Sequence, residues 1–176
     1  MVKLTFYGGV NEIGGNKILL EDNGTRIFLD FGKSFCLANQ YYAGYLTPRS
    51  VNGVGDYLEF GILPKLEGLY KKELLNGSCI LPCEPKVDAV LISHPHIDHI
   101  GCLSFLDENI PIYCGEITKL IIDAVEESTA GDSFGNHPFK TFHTGDKLKI
   151  GSLEVEPIHV DHSVPGAYGY IIHTSS

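Results

Sequence analysis

The chain has 176 residues, 43% of them hydrophobic and 20% charged, which suits a single soluble domain with a sizeable core. No apolar run approaches the roughly 20 residues of a membrane-spanning helix, and the first five residues lead into a strand rather than a signal peptide, so no membrane role is expected. A net charge of −9 with thirteen scattered Lys and Arg argues against a basic stripe that tracks a phosphate backbone; any nucleic acid would be gripped mostly elsewhere or through metal ions.

Short β-rich runs at residues 3–7, 17–21 and 26–31 read as strands. The last two are joined by Asp22-Asn23-Gly24, a hairpin signal. The glycine-rich stretch 8–16 has no Gly-Lys-Ser/Thr after it and opens no helix, so it reads as a tight turn rather than a phosphate cradle. From residue 32 to about 77, Tyr41, Tyr42, Tyr45, Pro48, Arg49 and Asn52-Gly53 suggest an irregular excursion, with Leu58, Ile62, Leu63, Leu66, Leu69 and Tyr70 near helical spacing. Its tyrosines and Arg49 are candidates for one wall of a substrate cleft, and packing of the excursion onto its own domain competes with that reading.

The mostly apolar run 87–92 reads as a strand. A short helix is expected at 100–106, a strand at 111–114, an amphipathic helix at 117–128 and a surface loop at 129–140. Strands follow at 141–143, 147–150, 153–159 and 168–173. Five cysteines (Cys36, Cys79, Cys83, Cys102 and Cys114) are an odd count without secreted spacing, so reduced thiols and a cytoplasmic location are expected. Cys79-x3-Cys83 lacks the second half of a zinc knuckle.

The densest chemistry lies in Ser93-His94-Pro95-His96-Ile97-Asp98-His99-Ile100-Gly101, directly after the apolar strand. Side chains alternate along a strand, so His94 and His96 can point the same way as the chain leaves it. A helix opening near Asp98 would place Asp98 and His99 on its first turn. Imidazoles plus a carboxylate are the ligands of a catalytic zinc site, and four such groups at this spacing rarely coincide in a solvated loop.

The pattern H-x-H-x-D-H resembles the signature of the metallo-β-lactamase superfamily. The resemblance implies an α/β fold, the αββα sandwich of mixed, largely antiparallel sheet with flanking helices. It also implies that His94 and His96 bind a first metal and that Asp98 and His99 bind a second, Asp98 being catalytic as well by orienting the attacking hydroxide. The third histidine of the first metal is best matched by His162, in Asp161-His162-Ser163-Val164-Pro165. Gly8-Gly9-Val10-Asn11-Glu12-Ile13-Gly14-Gly15-Asn16 looks like the opening of the ribonuclease J branch of the β-CASP group, and His162-Ser163-Val164-Pro165 is similar to its H-S-I-P. Asp30, in Phe28-Leu29-Asp30-Phe31-Gly32, matches the buried aspartate that braces the metal loop.

His159 competes with His162 for the third position, and the H-S-x-P match favours His162. His137, His143 and His173 are not expected to be ligands. The resemblance implies a zinc-dependent ribonuclease that cleaves RNA phosphodiester bonds by metal-activated hydroxide, with two zinc ions in the complete enzyme. Two alternatives are a small-molecule metallohydrolase of the glyoxalase or lactonase kind and a catalytically silent RNA-processing module. The metal-bridging aspartate and the last histidine of the family have no candidate here. Residues 1–176 are therefore expected to be the amino-terminal part of a metallo-β-lactamase domain, without the β-CASP insert and second half. Such a piece would be inactive alone, and its exposed apolar faces would favour a homo-oligomer.

Overall fold

Burial along the first strands decides the layers of the computed structural model, which describes residues 1–128 and 133–175. In β2 (Ile18–Asp22) Leu19 and Leu20 are both buried but join different cores. In β3 (Thr25–Leu29) Phe28 and Ile27 part in the same way. In β4 (Ala89–Ile92) Val90 and Ile92 face one side, Ala89 and Leu91 the other, and all four are fully buried. A strand covered on both faces has no polar side to show, which is why this segment reads as an unbroken apolar run.

With β1 (Lys3–Phe6), β5 (Ile112–Gly115) and β6 (Phe139–Phe142), these strands form a six-stranded sheet in chain order. β7 (Leu148–Ile150), β8 (Leu153–His159) and β9 (Tyr168–His173) form a second sheet. The pairings β1–β2, β2–β3, β7–β8 and β8–β9 are antiparallel, and the three from β3 to β6 are parallel. Ile150, Leu153 and Val155 of the second sheet pack on Ile27, Ala89 and Leu91 of the first. The opposite face is covered by the excursion and by α4 (Glu116–Ser128) through Leu58, Leu63, Leu69, Tyr70 and Ile122. The result is a helical layer on a mixed sheet, with a second sheet beneath. The β2–β3 turn has Asn23 and Gly24 both left-handed, at φ 47° and 84°, as the Asn-Gly hairpin signal expects.

Three elements differ from the sequence reading. The excursion carries α1 (Phe35–Tyr41), capped by the Ser34 hydroxyl, and α2 (Gly55–Glu59), with single 3-10 turns at Ser50–Asn52 and Lys72–Leu75. Leu58, Leu63, Leu69 and Tyr70 join the core while Tyr45 and Leu46 stay exposed, and Arg49 is held on Asp56 by two guanidinium bonds of 3.0 and 2.6 Å, so it is not a free phosphate contact. The helix expected at 100–106 is α3 (Ile97–Ile100) followed by a 3-10 turn at Leu103–Phe105. β6 starts at Phe139, inside the expected loop, because parallel pairing with Ile112 and Tyr113 captures Phe139 and Lys140. The part of that loop at 129–132 lies outside the described residues. Among the described residues no helix is long and apolar enough to cross a membrane.

Candidate metal centre

The parallel strands β3 and β4 end side by side, and the loops beyond them carry most of the expected site residues. His94 follows β4 by two residues and is buried to 7% exposure. His96 is the extended cap residue of α3, at φ −73° and ψ 148°, and makes no capping bond with its side chain. His162 enters from the loop between β8 and β9. One ring nitrogen from each of His94, His96 and His162 converges so that all three lie within 4.8 Å of one another. Nε2 of His94 is 3.1 Å from Nδ1 of His96. The His162 ring is edge-on to both, with centroids 4.3 and 5.2 Å away. His159 points elsewhere and packs edge-on against Tyr168.

Asp30 and Ser93 orient the rings of His94 and His99. The Asp30 carboxylate accepts from the Ser93 amide at 2.8 Å and from the Ser93 hydroxyl at 2.9 Å. It also receives Nδ1 of His99 at 2.7 Å. The single hydroxyl proton of Ser93 goes to Asp30, so Nδ1 of His94, 2.9 Å from that oxygen, brings its own N–H. This fixes the His94 tautomer and leaves Nε2 bare, facing His96. Burial, followed by the neighbouring imidazoles of His99, His162 and His96, pushes the His94 pKa down to about 4, so this ring is neutral and ligand-competent at neutral pH. For His99 burial works against the charged form, but the Asp30 hydrogen bond and the charges of Asp30 and Asp98 outweigh it and raise the pKa. Asp30 itself is left-handed at φ 58°, a conformation that costs about 1–2 kcal/mol and is held here by the bonds its carboxylate makes.

Asp98 and His99 sit together on α3, with Asp98 Oδ2 3.4 Å from His99 Nε2. Among the described residues no third donor closes around this pair as the three histidines close around one another. The glycine-rich 8–16 turn presses on the same loop. Asn16 donates its amide N–H to the Asp98 carbonyl at 3.2 Å, and its side-chain nitrogen lies 3.2 Å from His99 Nε2. Gly32 has no room for a side chain, since a Cβ there would fall 1.6 Å from the Asp98 carbonyl oxygen. Lys17, 1% exposed, donates to the carbonyls of Gly15 at 3.1 Å and Gly32 at 2.7 Å and so ties the turn to the β3 loop. Burial lowers its pKa, against the pull of Cys102 and Glu12. Lys17→Met keeps the length but leaves both carbonyls without a donor. It is expected to cost about 2 kcal/mol in urea unfolding, whereas exposed Lys3→Met stays near zero.

Sequence reasoning quoted Ser93, Asn16 and Lys17 only as motif members or not at all, and no local pattern marks their contacts. The remaining histidines are engaged away from the site. His137 Nε2 is 3.1 Å from the Leu103 carbonyl, His143 pairs with Glu116, and His173 pairs with Glu156. Glu154, Glu156 and His173 also cluster, but Lys147 already bridges both carboxylates.

The three-histidine donor set fits a zinc ion. The facing nitrogens of His94 and His96 lie 3.1 Å apart, and ligands on a tetrahedral zinc at about 2.0–2.1 Å are spaced at about 3.3 Å. Residues 74–176, more than half of the chain, match the beta-lactamase superfamily domain. Ribonuclease J of Helicobacter pylori is 26% identical over 99% of this chain, which spans 22% of that protein. Ribonuclease J of Pyrococcus abyssi is 24% identical over 99% of the chain, which spans 36% of it. A protein of unknown function from Enterococcus faecalis superposes with a TM-score of 0.75 at 26% identity, covering 99% of this chain and 41% of that one. The metallo-beta-lactamase fold protein YhfI from Bacillus subtilis shares the fold at a TM-score of 0.55 and 19% identity, over 98% of this chain and 57% of its own. By fold, by family match and by the residues that converge at the ends of β3 and β4, the chain belongs to the metallo-β-lactamase superfamily of hydrolases.

Proposed function

We propose that this chain is the amino-terminal, metal-binding part of a zinc-dependent ribonuclease of the ribonuclease J, β-CASP type, which cleaves RNA phosphodiester bonds in the cytoplasm. The observation that carries the reading is similarity to bacterial and archaeal ribonuclease J along 99% of the chain, joined to a three-imidazole donor set. His94, His96 and His162 would hold the first ion, and Asp98 with His99 would offer two donors to a second. When bound, such ions lower the pKa of water towards about 7 and stabilise charge on a phosphoryl group. Asp30 and Ser93 keep His94 and His99 in the tautomers that turn Nε2 inward. The Asp98 carboxylate, the partly buried acceptor on this loop, is placed to orient the attacking water. The bridging aspartate and last histidine of the family would come from beyond residue 176, together with most of the RNA grip that a chain of −9 charge lacks.

The test compares these 176 residues with the polypeptide that carries the complete domain, on labelled single-stranded RNA and on a glutathione thioester. Chelator-sensitive RNA cleavage by the complete domain and none by residues 1–176 is the expected result. Thioester hydrolysis without RNA cleavage would overturn the ribonuclease reading. RNA cleavage by residues 1–176, lost in His94→Ala, would overturn the need for the rest of the domain.

A further inference from the structure

Both ring nitrogens of His99 are engaged. Nδ1 lies 2.7 Å from the Asp30 carboxylate, which only accepts, so the neutral ring carries its proton there and Nε2 is bare. Two groups stand at that bare nitrogen, Oδ2 of Asp98 at 3.4 Å and Nδ2 of Asn16 at 3.2 Å. The nitrogen of the Asn16 amide, and not its oxygen, faces this way because the same atom lies 3.4 Å from the Asp98 carbonyl, which can only accept. One N–H of Asn16 therefore points to Asp98 and the other to His99.

Asn16 is fastened in this position. Its backbone N–H donates to the Asp98 carbonyl at 3.2 Å, and its own carbonyl accepts from the Gly32 amide at 3.0 Å. The amide oxygen fills space that a glycine leaves open, since a Cβ on Gly9, at φ 79°, would fall 2.5 Å from it. The lone pair of an imidazole nitrogen serves one partner. It can accept the Asn16 N–H or bind an ion at about 2.0–2.1 Å, and it cannot do both.

We propose that Asn16 is a cap on the second metal position: its amide holds the His99 nitrogen that a second ion needs, so that ion binds only by displacing Asn16, and the three-histidine position fills first. The inference rests on the two-metal reading of the site and adds the residue that sets the order and strength of filling. Its test reads hydrogen bonding and metal binding, not cleavage. Imidazole nitrogen-15 resonances of the metal-free chain are recorded at mildly alkaline pH, and zinc is then titrated by calorimetry, for the parent, Asn16→Ala and Asn16→Asp. Asn16→Ala keeps the backbone bonds of residue 16. It is expected to move the Nε2 resonance of His99, to leave that of His94 in place, and to tighten the second, weaker zinc equivalent about three- to tenfold, the worth of one hydrogen bond. Asn16→Asp puts an oxygen where Nδ2 stands and turns the cap into a third donor, so it should tighten the second equivalent at least about tenfold more.

A His99 Nε2 resonance unmoved in Asn16→Ala would overturn the cap. So would a first equivalent like the parent's with a second that neither substitution tightens, and the metal centre would then stand without it. No first zinc equivalent in the parent would overturn the metal centre and the cap together.

Discussion

His96→Ala is expected to abolish tight zinc binding while leaving the fold in place. The three imidazole nitrogens are the convergent donors of the site, and Nδ1 of His96 is the atom that faces Nε2 of His94 at 3.1 Å. Loss of a residue that only orients a ligand costs about 10–100-fold in metal affinity, and loss of the ligand itself should cost more, with two nitrogens left to hold the ion. The fold should survive because His96 sits at the helix cap without a side-chain capping bond. Isothermal calorimetry on residues 1–176 should give one tight zinc equivalent for the parent chain and none for His96→Ala or His162→Ala, with unchanged far-ultraviolet circular dichroism. His159→Ala should bind as the parent does, its ring being packed on Tyr168. Two tight equivalents in the parent would show that Asp98 and His99 already hold a second ion.

Asp30→Ala is expected to weaken zinc about 10–100-fold although Asp30 touches no metal. Its carboxylate holds Ser93, which fixes the His94 tautomer, and holds Nδ1 of His99 directly. Without it the proton on Ser93 is free to turn toward His94, whose bare nitrogen then need not face the site. The His99 pKa should fall in the same variant, because the Asp30 hydrogen bond and charge are what raise it against burial. Asp30 is left-handed at φ 58°, so Asp30→Gly separates the two contributions. Glycine accepts that backbone freely, and the Gly variant should be more stable than the Ala variant while binding zinc equally weakly. Zinc affinity restored by Asp30→Gly would mean that backbone strain, not the carboxylate, governs the site.

The sequence made the metal loop legible because its order is local. Strand alternation brings His94 and His96 to one side, and the doubly buried β4 announces itself as an apolar run. The Asn23-Gly24 turn is equally local. His162 stands 66 residues beyond His96 and could be reached only through a motif, since no periodicity links a loop to a distant loop. The contacts of Ser93 with Asp30 and of Lys17 with Gly32 depend on β3 and β4 lying side by side, which the residues do not declare one at a time. The excursion was hardest to read. α1 and α2 are too short to form by propensity and are fixed by tertiary partners, Glu12 for the first and the Arg49–Asp56 pair for the second. Arg49 looked available to a phosphate until its carboxylate partner was placed.

The most direct measurement is X-ray absorption at the zinc edge on chain loaded with one equivalent. Three imidazole nitrogens at about 2.0–2.1 Å and no sulfur are expected in the parent and again in His159→Ala, whereas His162→Ala should retain no three-imidazole zinc. Zinc–sulfur scattering from a cysteine, or a third imidazole that persists in His162→Ala and disappears in His159→Ala, would contradict the centre formed by His94, His96 and His162.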